Sequence, residues 1–209
     1  MSKRMAAILC VVILTATLLA ACSFGGAAKK KVNGIEVEER PYQSEYGNKV
    51  YLIMTNKTGS GCDLEVTVNF LDDQGATVDT STYSTYAFAQ DSTISEPYYS
   101  NTPFASYNYD IEVKPLSYYE PVDNDLALEV NEAGEDSTIK ITNNGSKTAK
   151  FVEYHALYFK NDVLVDYDWG YCDDDHDEIK PGASETAEIA AYEDYDSVKV
   201  YIHGRADKE

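Results

Sequence analysis

The sequence predicts an all-β chain of two tandem immunoglobulin-like antiparallel β-sandwiches, and three observations support this. Apolar and polar residues alternate with period 2 through most of the chain beyond residue 31, and no segment carries a helical period. Tyrosine dominates the aromatics, 18 against 6 phenylalanines and 1 tryptophan. Its ring suits a pleated, half-buried surface with the hydroxyl in water. Finally, the same order of alternating segments and turns occurs twice.

The elements run in order. Ile35 and Val37 alternate with Glu36 and Glu38, and Leu64, Val66, Val68 and Phe70 alternate with Asp63, Glu65, Thr67 and Asn69. Tyr107, Tyr109, Ile111 and Val113 repeat the pattern near the middle. Leu126, Leu128 and Val130 follow, then Ile139 and Ile141, then Val152, Tyr154, Ala156 and Tyr158, and last Val198, Val200 and Ile202. One apolar and one polar face per strand is the habit of antiparallel sheets with one side in water.

The two copies align by their turns. Leu52 to Asn56 leads into Lys-Thr-Gly, and Ile139 to Asn143 leads into Asn-Gly-Ser. Long strands then end at Phe70-Leu71 and at Tyr158-Phe159, followed by polar turns at Asp72 to Gly75 and Lys160 to Asp162. Asn56 to Ile111 and Asn143 to Val198 are both spaced by 55 residues. The copies are placed at 32–117 and 122–205, joined across Pro115 to Pro121. About seven short strands in each is the immunoglobulin-like pattern.

Thr55-Asn56, Phe70 to Gly75, Thr142-Asn143, Leu157-Tyr158-Phe159 and Pro181-Gly182 together resemble the FxLYD-type domains of bacterial lipoproteins. The second copy lacks the glycine of the Asp-x-x-Gly turn, and the first lacks Pro-Gly. The resemblance implies no enzyme activity and brings no catalytic residues.

Residues 1–21 have the three regions of a secretory signal. Lys3 and Arg4 precede an apolar run from Met5 to Ala21, broken only by Thr15 and Thr17. At 17 residues the run is shorter than the roughly 20 a membrane span needs. Its Leu19-Ala20-Ala21-Cys22 ending resembles the bacterial lipobox, which implies a diacylglycerol on the Cys22 thiol and cleavage before it. An uncleaved N-terminal anchor is the alternative, and both put the rest of the chain outside the cytoplasm. Residues 22–31 read as a flexible tether, with Lys29 to Lys31 in solvent.

The formal charge is −19, and removing the signal takes away two cations and no acid, leaving −21. Such a surface repels nucleic acid and excludes it as a partner. It also repels anionic lipid, so the body stands away from the bilayer that holds its anchor. Cations and basic protein surfaces are what it attracts. Cys10 leaves with the signal and Cys22 carries lipid, so Cys62 and Cys172 remain as two free thiols or as one disulfide stapling the copies.

No nucleophile elbow and no phosphate-binding glycine loop occurs. The three histidines are His155, His176 and His203; His155, offset by one from Tyr154, is expected to face solvent. Asp173, Asp174, Asp175, Asp177 and Glu178 offer a Ca²⁺ site, although their spacing is not that of an EF-hand and a hydrated loop explains them too. A transition-metal site on His176 and Cys172 is the rarer option there. Tyr83, Tyr86, Tyr98 and Tyr99 form a candidate face for a sugar or a protein partner. The functional expectation is a non-catalytic, lipid-anchored envelope module that binds protein or acts as a spacer. A carbohydrate- or Ca²⁺-binding module is the alternative.

Overall fold

The computed structural model describes residues 29–44, 47–134, 137–172 and 178–208. They form an all-β structure in which every strand pairing is antiparallel. In the N-terminal part, β1 (Lys30–Val32), β2 (Ile35–Ser44), β3 (Gly47–Asn56) and β6 (Thr93–Ser100) make one sheet in that order. A second sheet runs β5 (Thr77–Phe88), β4 (Cys62–Leu71), β7 (Ser106–Lys114). In the C-terminal part, β14 (Ser184–Glu188), β10 (Thr138–Asn143) and β9 (Leu126–Asn131) make a third sheet. The fourth runs β12 (Val163–Tyr171), β11 (Ala149–Lys160), β15 (Ser197–Asp207), β8 (Tyr119–Pro121), with β13 (Glu178–Ile179) also on β11. A 3-10 turn at Asp123–Asp125 precedes β9.

The strand order recurs: β6-β3-β2 returns as β14-β10-β9, and β5-β4-β7 as β12-β11-β15. Leu64, Val66, Val68 and Phe70 are buried against Val37, Leu52, Met54 and Ile94 from the facing sheet. Val152, Tyr154, Ala156 and Tyr158 are buried against Ile139, Ile141 and Ile189 in a separate core. Alternation on β4 and β11 therefore places one row of side chains between sheets in each part.

Two asparagines show why the turns repeat. Asn56 and Asn143 are both fully buried. The Asn56 side-chain oxygen accepts from Thr58 N (3.0 Å), and that of Asn143 from Gly145 N (2.9 Å). Their amide groups donate to Ser60 O and Phe88 O in one case, and to Lys147 O and Ile179 O in the other. Each thus closes its own turn and satisfies a distant buried carbonyl, a task that only a short amide side chain performs at both ends. The Asp72 turn is similarly fixed, its carboxylate accepting from Gln74 N and Ala76 N while Gly75 takes a φ of +81°. At the β11–β12 hairpin Asn161 and Asp162 both have positive φ, the two-residue mirror-image turn that matches sheet twist.

Several expectations need correction. Lys30 and Lys31 belong to β1, and Lys30 pairs with Glu39 at 2.6 Å, so strand structure reaches into the segment read as tether. The segment joining the copies contains β8, which pairs with β15. The equal 55-residue spacing is out of register by four: Phe70 opposes Tyr107, whereas Tyr158 opposes Val198, which makes Tyr107 rather than Ile111 the counterpart of Val198.

The sheets of the two parts also meet. Tyr51 and Ile53 of β3 are buried against Leu157 and Phe159 of β11 and Leu164 of β12, a third apolar core. At its rim Arg40 of β2 lies 5.0 Å from the Phe159 ring, donates twice to Glu38, and reaches Asp162 in the β11–β12 turn. Lys49 sits with its ammonium 3.5 Å from the Tyr167 ring centre and 4.8 Å from that of Tyr99. Burial lowers its pKa to about 8, against the opposing pull of Asp166.

Candidate functional site

Beside the third core the same junction turns polar. β6 is an edge strand, and its Glu96 is 3 % exposed, within hydrogen-bond distance of Thr85 Oγ1 on β5 (3.2 Å). β11 brings Glu153 and His155, two residues apart and therefore on one face. β15 brings His203 directly opposite Glu153. Metal-ligating atoms of Glu96, Glu153 and His155 all lie within 4.8 Å of one another.

His203 ties this group together. Its Nδ1 is 2.8 Å from Asp123 Oδ1 and its Nε2 is 2.9 Å from the Tyr86 carbonyl oxygen. A carbonyl only accepts, so Nε2 carries a proton. The Asp123 carboxylate takes the second, which makes the ring an imidazolium. Burial by itself disfavours that charge, but Asp123, then Glu153 and Glu96, outweigh it and hold His203 at about 9. Asp123 also accepts from Gly204 N (3.0 Å), Ala89 N (3.0 Å) and Ser92 Oγ (3.1 Å). Burial pushes Asp123 up, but His203 and these donors win and keep it below the usual carboxylate value. One carboxylate between β8 and β9 thus clasps β15 and the β5–β6 loop.

The other groups are less satisfied. Glu96 and Glu153 are both pushed up, by burial first; for Glu96 the Glu153 charge adds to this. Burial, with the nearby His203 and Lys49, pushes His155 down to about 4, so its ring is neutral at pH 7. Its Nδ1 is buried without a hydrogen-bond partner. Arg205 lies over Phe151 (4.4 Å) and Tyr119 (4.7 Å) with its Nε likewise unpartnered.

The residues singled out from sequence fall elsewhere. Cys22, Asp173, Asp174, Asp175, Asp177 and His176 lie outside the described residues, and Glu178 sits in β13 opposite Lys150. The four tyrosines do not share a face. Tyr98 is fully buried in the N-terminal core, Tyr86 is half-buried near Arg205, and Tyr83 and Tyr99 are about half exposed, Tyr99 beside Lys49. Cys62 and Cys172 are free thiols buried in different cores, so the stapling disulfide is not formed. Burial raises both, Cys172 to about 12, which keeps them as unreactive thiols. His155 is 6 % exposed rather than solvent-facing, because the sheet across the junction covers its face of β11.

At another part of the junction a polar cavity of about 120 Å³ lies among Glu36, Glu38, Thr55, Thr93 and Tyr201. It is well below the roughly 300–1,000 Å³ of small-molecule pockets.

No family model matches the sequence, and no curated protein matches it. Among solved structures, that of red sea bream transglutaminase overlays 84 % of this chain at 11 % identity with a TM-score of 0.26. This chain spans 28 % of that structure's length, and so distant a likeness carries no functional argument.

Proposed function

We propose that this chain is a lipid-anchored extracytoplasmic protein, non-catalytic, whose two FxLYD-like sandwiches act as one rigid protein-binding or spacer body. The observation that carries the reading is the junction. Two sheets pack through Tyr51, Ile53, Leu157, Phe159 and Leu164 while Asp123 and His203 clasp the connection, so the parts resist independent motion. A stiff acidic body on a lipid tether suits holding a binding surface away from a membrane better than it suits turnover of a substrate. The Leu-Ala-Ala-Cys ending at Cys22 supports the anchor. Two or three acyl chains hold firmly where one holds only marginally.

Membrane fractionation tests the address: Cys22→Ala should release the protein, and its retention would refute lipidation. Crosslinking in intact envelopes should then yield a partner with a basic surface; failure at high crosslinker density would leave the spacer role.

A second reading, sugar binding, is favoured by Trp169 and Tyr171, which are 51 % and 40 % exposed and alternate on one face of β12. A glycan array with the full chain should show binding lost in Trp169→Ala, and a silent array sinks this reading. A melting temperature unchanged by millimolar Ca²⁺ would remove the acidic 173–178 loop as a calcium site.

A further inference from the structure

We propose that Glu96, Glu153 and His155 form a binding site for a divalent transition metal of the zinc class, shared between the two parts of the chain. Three independent features converge on it. The donors come from β6 and β11, which are distant in sequence, yet their ligating atoms all approach within 4.8 Å. Ligands about 2.0–2.2 Å from a tetrahedral zinc sit roughly 3.4 Å apart, so rotamer adjustments of an ångström or so suffice.

The second feature is unused bonding capacity. His155 is 6 % exposed and its Nδ1 has no partner, a state that native interiors rarely leave uncompensated. Glu153 accepts no hydrogen bond from a described residue, and Glu96 has only the Thr85 hydroxyl. The third feature is that His203 and Arg205 act on these carboxylates through space without a hydrogen bond to them among the described residues. His203 spends both ring nitrogens on Asp123 and the Tyr86 carbonyl, and Arg205 lies on aromatic rings. A doubly charged ion would satisfy both carboxylates and the imidazole together.

The donor chemistry selects the ion. An imidazole with two carboxylates suits Zn²⁺ and its neighbours in the first transition row. It does not suit Ca²⁺ or Mg²⁺, which take oxygen alone. Three protein ligands leave a position for water. This site uses none of the residues of the acidic 173–177 segment.

The test uses the full chain in detergent, stripped with chelator and titrated calorimetrically with Zn²⁺ alone, with thermal melts in parallel. One equivalent should bind and raise the melting temperature, while Mg²⁺ does neither. Glu153→Gln and His155→Gln should each weaken Zn²⁺ by at least about tenfold. Zinc-edge X-ray absorption should show one nitrogen among oxygen ligands. If His155→Gln fails to fold, Glu153→Gln at its half-buried position decides the matter. The proposal is overturned if folded wild-type chain binds no zinc. It is equally overturned if affinity survives Glu153→Gln but is lost when Asp174 and Asp175 become Asn.

Discussion

Strands β4 and β11 occupy the same place in their sheets, each central between the strand that follows it and a later one, yet they treat their second faces differently. On β4 the residues between the core positions are Glu65, Thr67 and Asn69, all half-exposed. On β11 they are Glu153, His155, Leu157 and Phe159, of which the last three are buried. One topology has thus been used once with a wet outer face and once with a covered one. The covering sheet is that of β3, whose Tyr51 and Ile53 complete the contact. Covering an already two-layered strand creates both a third apolar core and, where the covered residues are polar, a charge cluster that water no longer screens. The apolar part of the junction provides adhesion indifferent to pH. The polar part provides geometry, and its groups remain titratable.

The largest expected effect comes from breaking the clasp. Asp123→Ala strips buried His203 of its carboxylate partner and leaves the Ala89 and Gly204 amides without an acceptor, and should cost about 3–5 kcal/mol in urea unfolding. A loss under 1 kcal/mol would mean that the imidazolium is not held there. Next, Leu157→Ala should cost about 2–5 kcal/mol, because a fully buried side chain is replaced by a cavity. An unchanged urea midpoint would show that the third core is not closed in solution.

The pH dependence follows. Folded His203 keeps its proton to about 9, against an ordinary 6.5, and Glu96 is raised in the same sense. A raised pKa means that the native chain holds protons the unfolded chain has released. Their contribution is complete below the unfolded values and is lost as pH climbs through the folded ones. The melting temperature should therefore fall between pH 6.5 and 9, and by less in Glu96→Gln. A flat profile across that window would contradict the buried imidazolium. His155, held at about 4, has the opposite sign, and its contribution fades only as pH drops below 6.5. The smallest effect belongs to β4: Asn69→Ala, at the wet counterpart of Leu157, should change stability by no more than about 0.5 kcal/mol. A cost matching that of Leu157→Ala would erase the distinction between the two strands.

Part of the junction was legible. Val50 to Met54 and Ala156 to Phe159 are unbroken apolar runs amid alternating strands, and such runs mark strands covered on both faces. Reading them as one-sided strands made His155 solvent-facing. The tyrosines were harder, because a ring at Tyr98 and one at Tyr99 look alike in sequence although one is buried and the other half exposed.

By itself the sequence determined the all-β class, the strands with clear alternation, the inward faces of β4 and β11, and the turns at Asn56, Asp72 and Asn143. These rest on period-2 alternation and on side chains bonding backbone a few residues away, both of which are local. Only the tertiary structure decided that the two sheet pairs pack together, that Asp123 meets His203 across 80 residues, and that Glu96 joins Glu153 and His155. Charged residues on the outer face of a strand read identically whether water or another sheet lies above them. Which it is depends on contacts between segments that no local pattern connects.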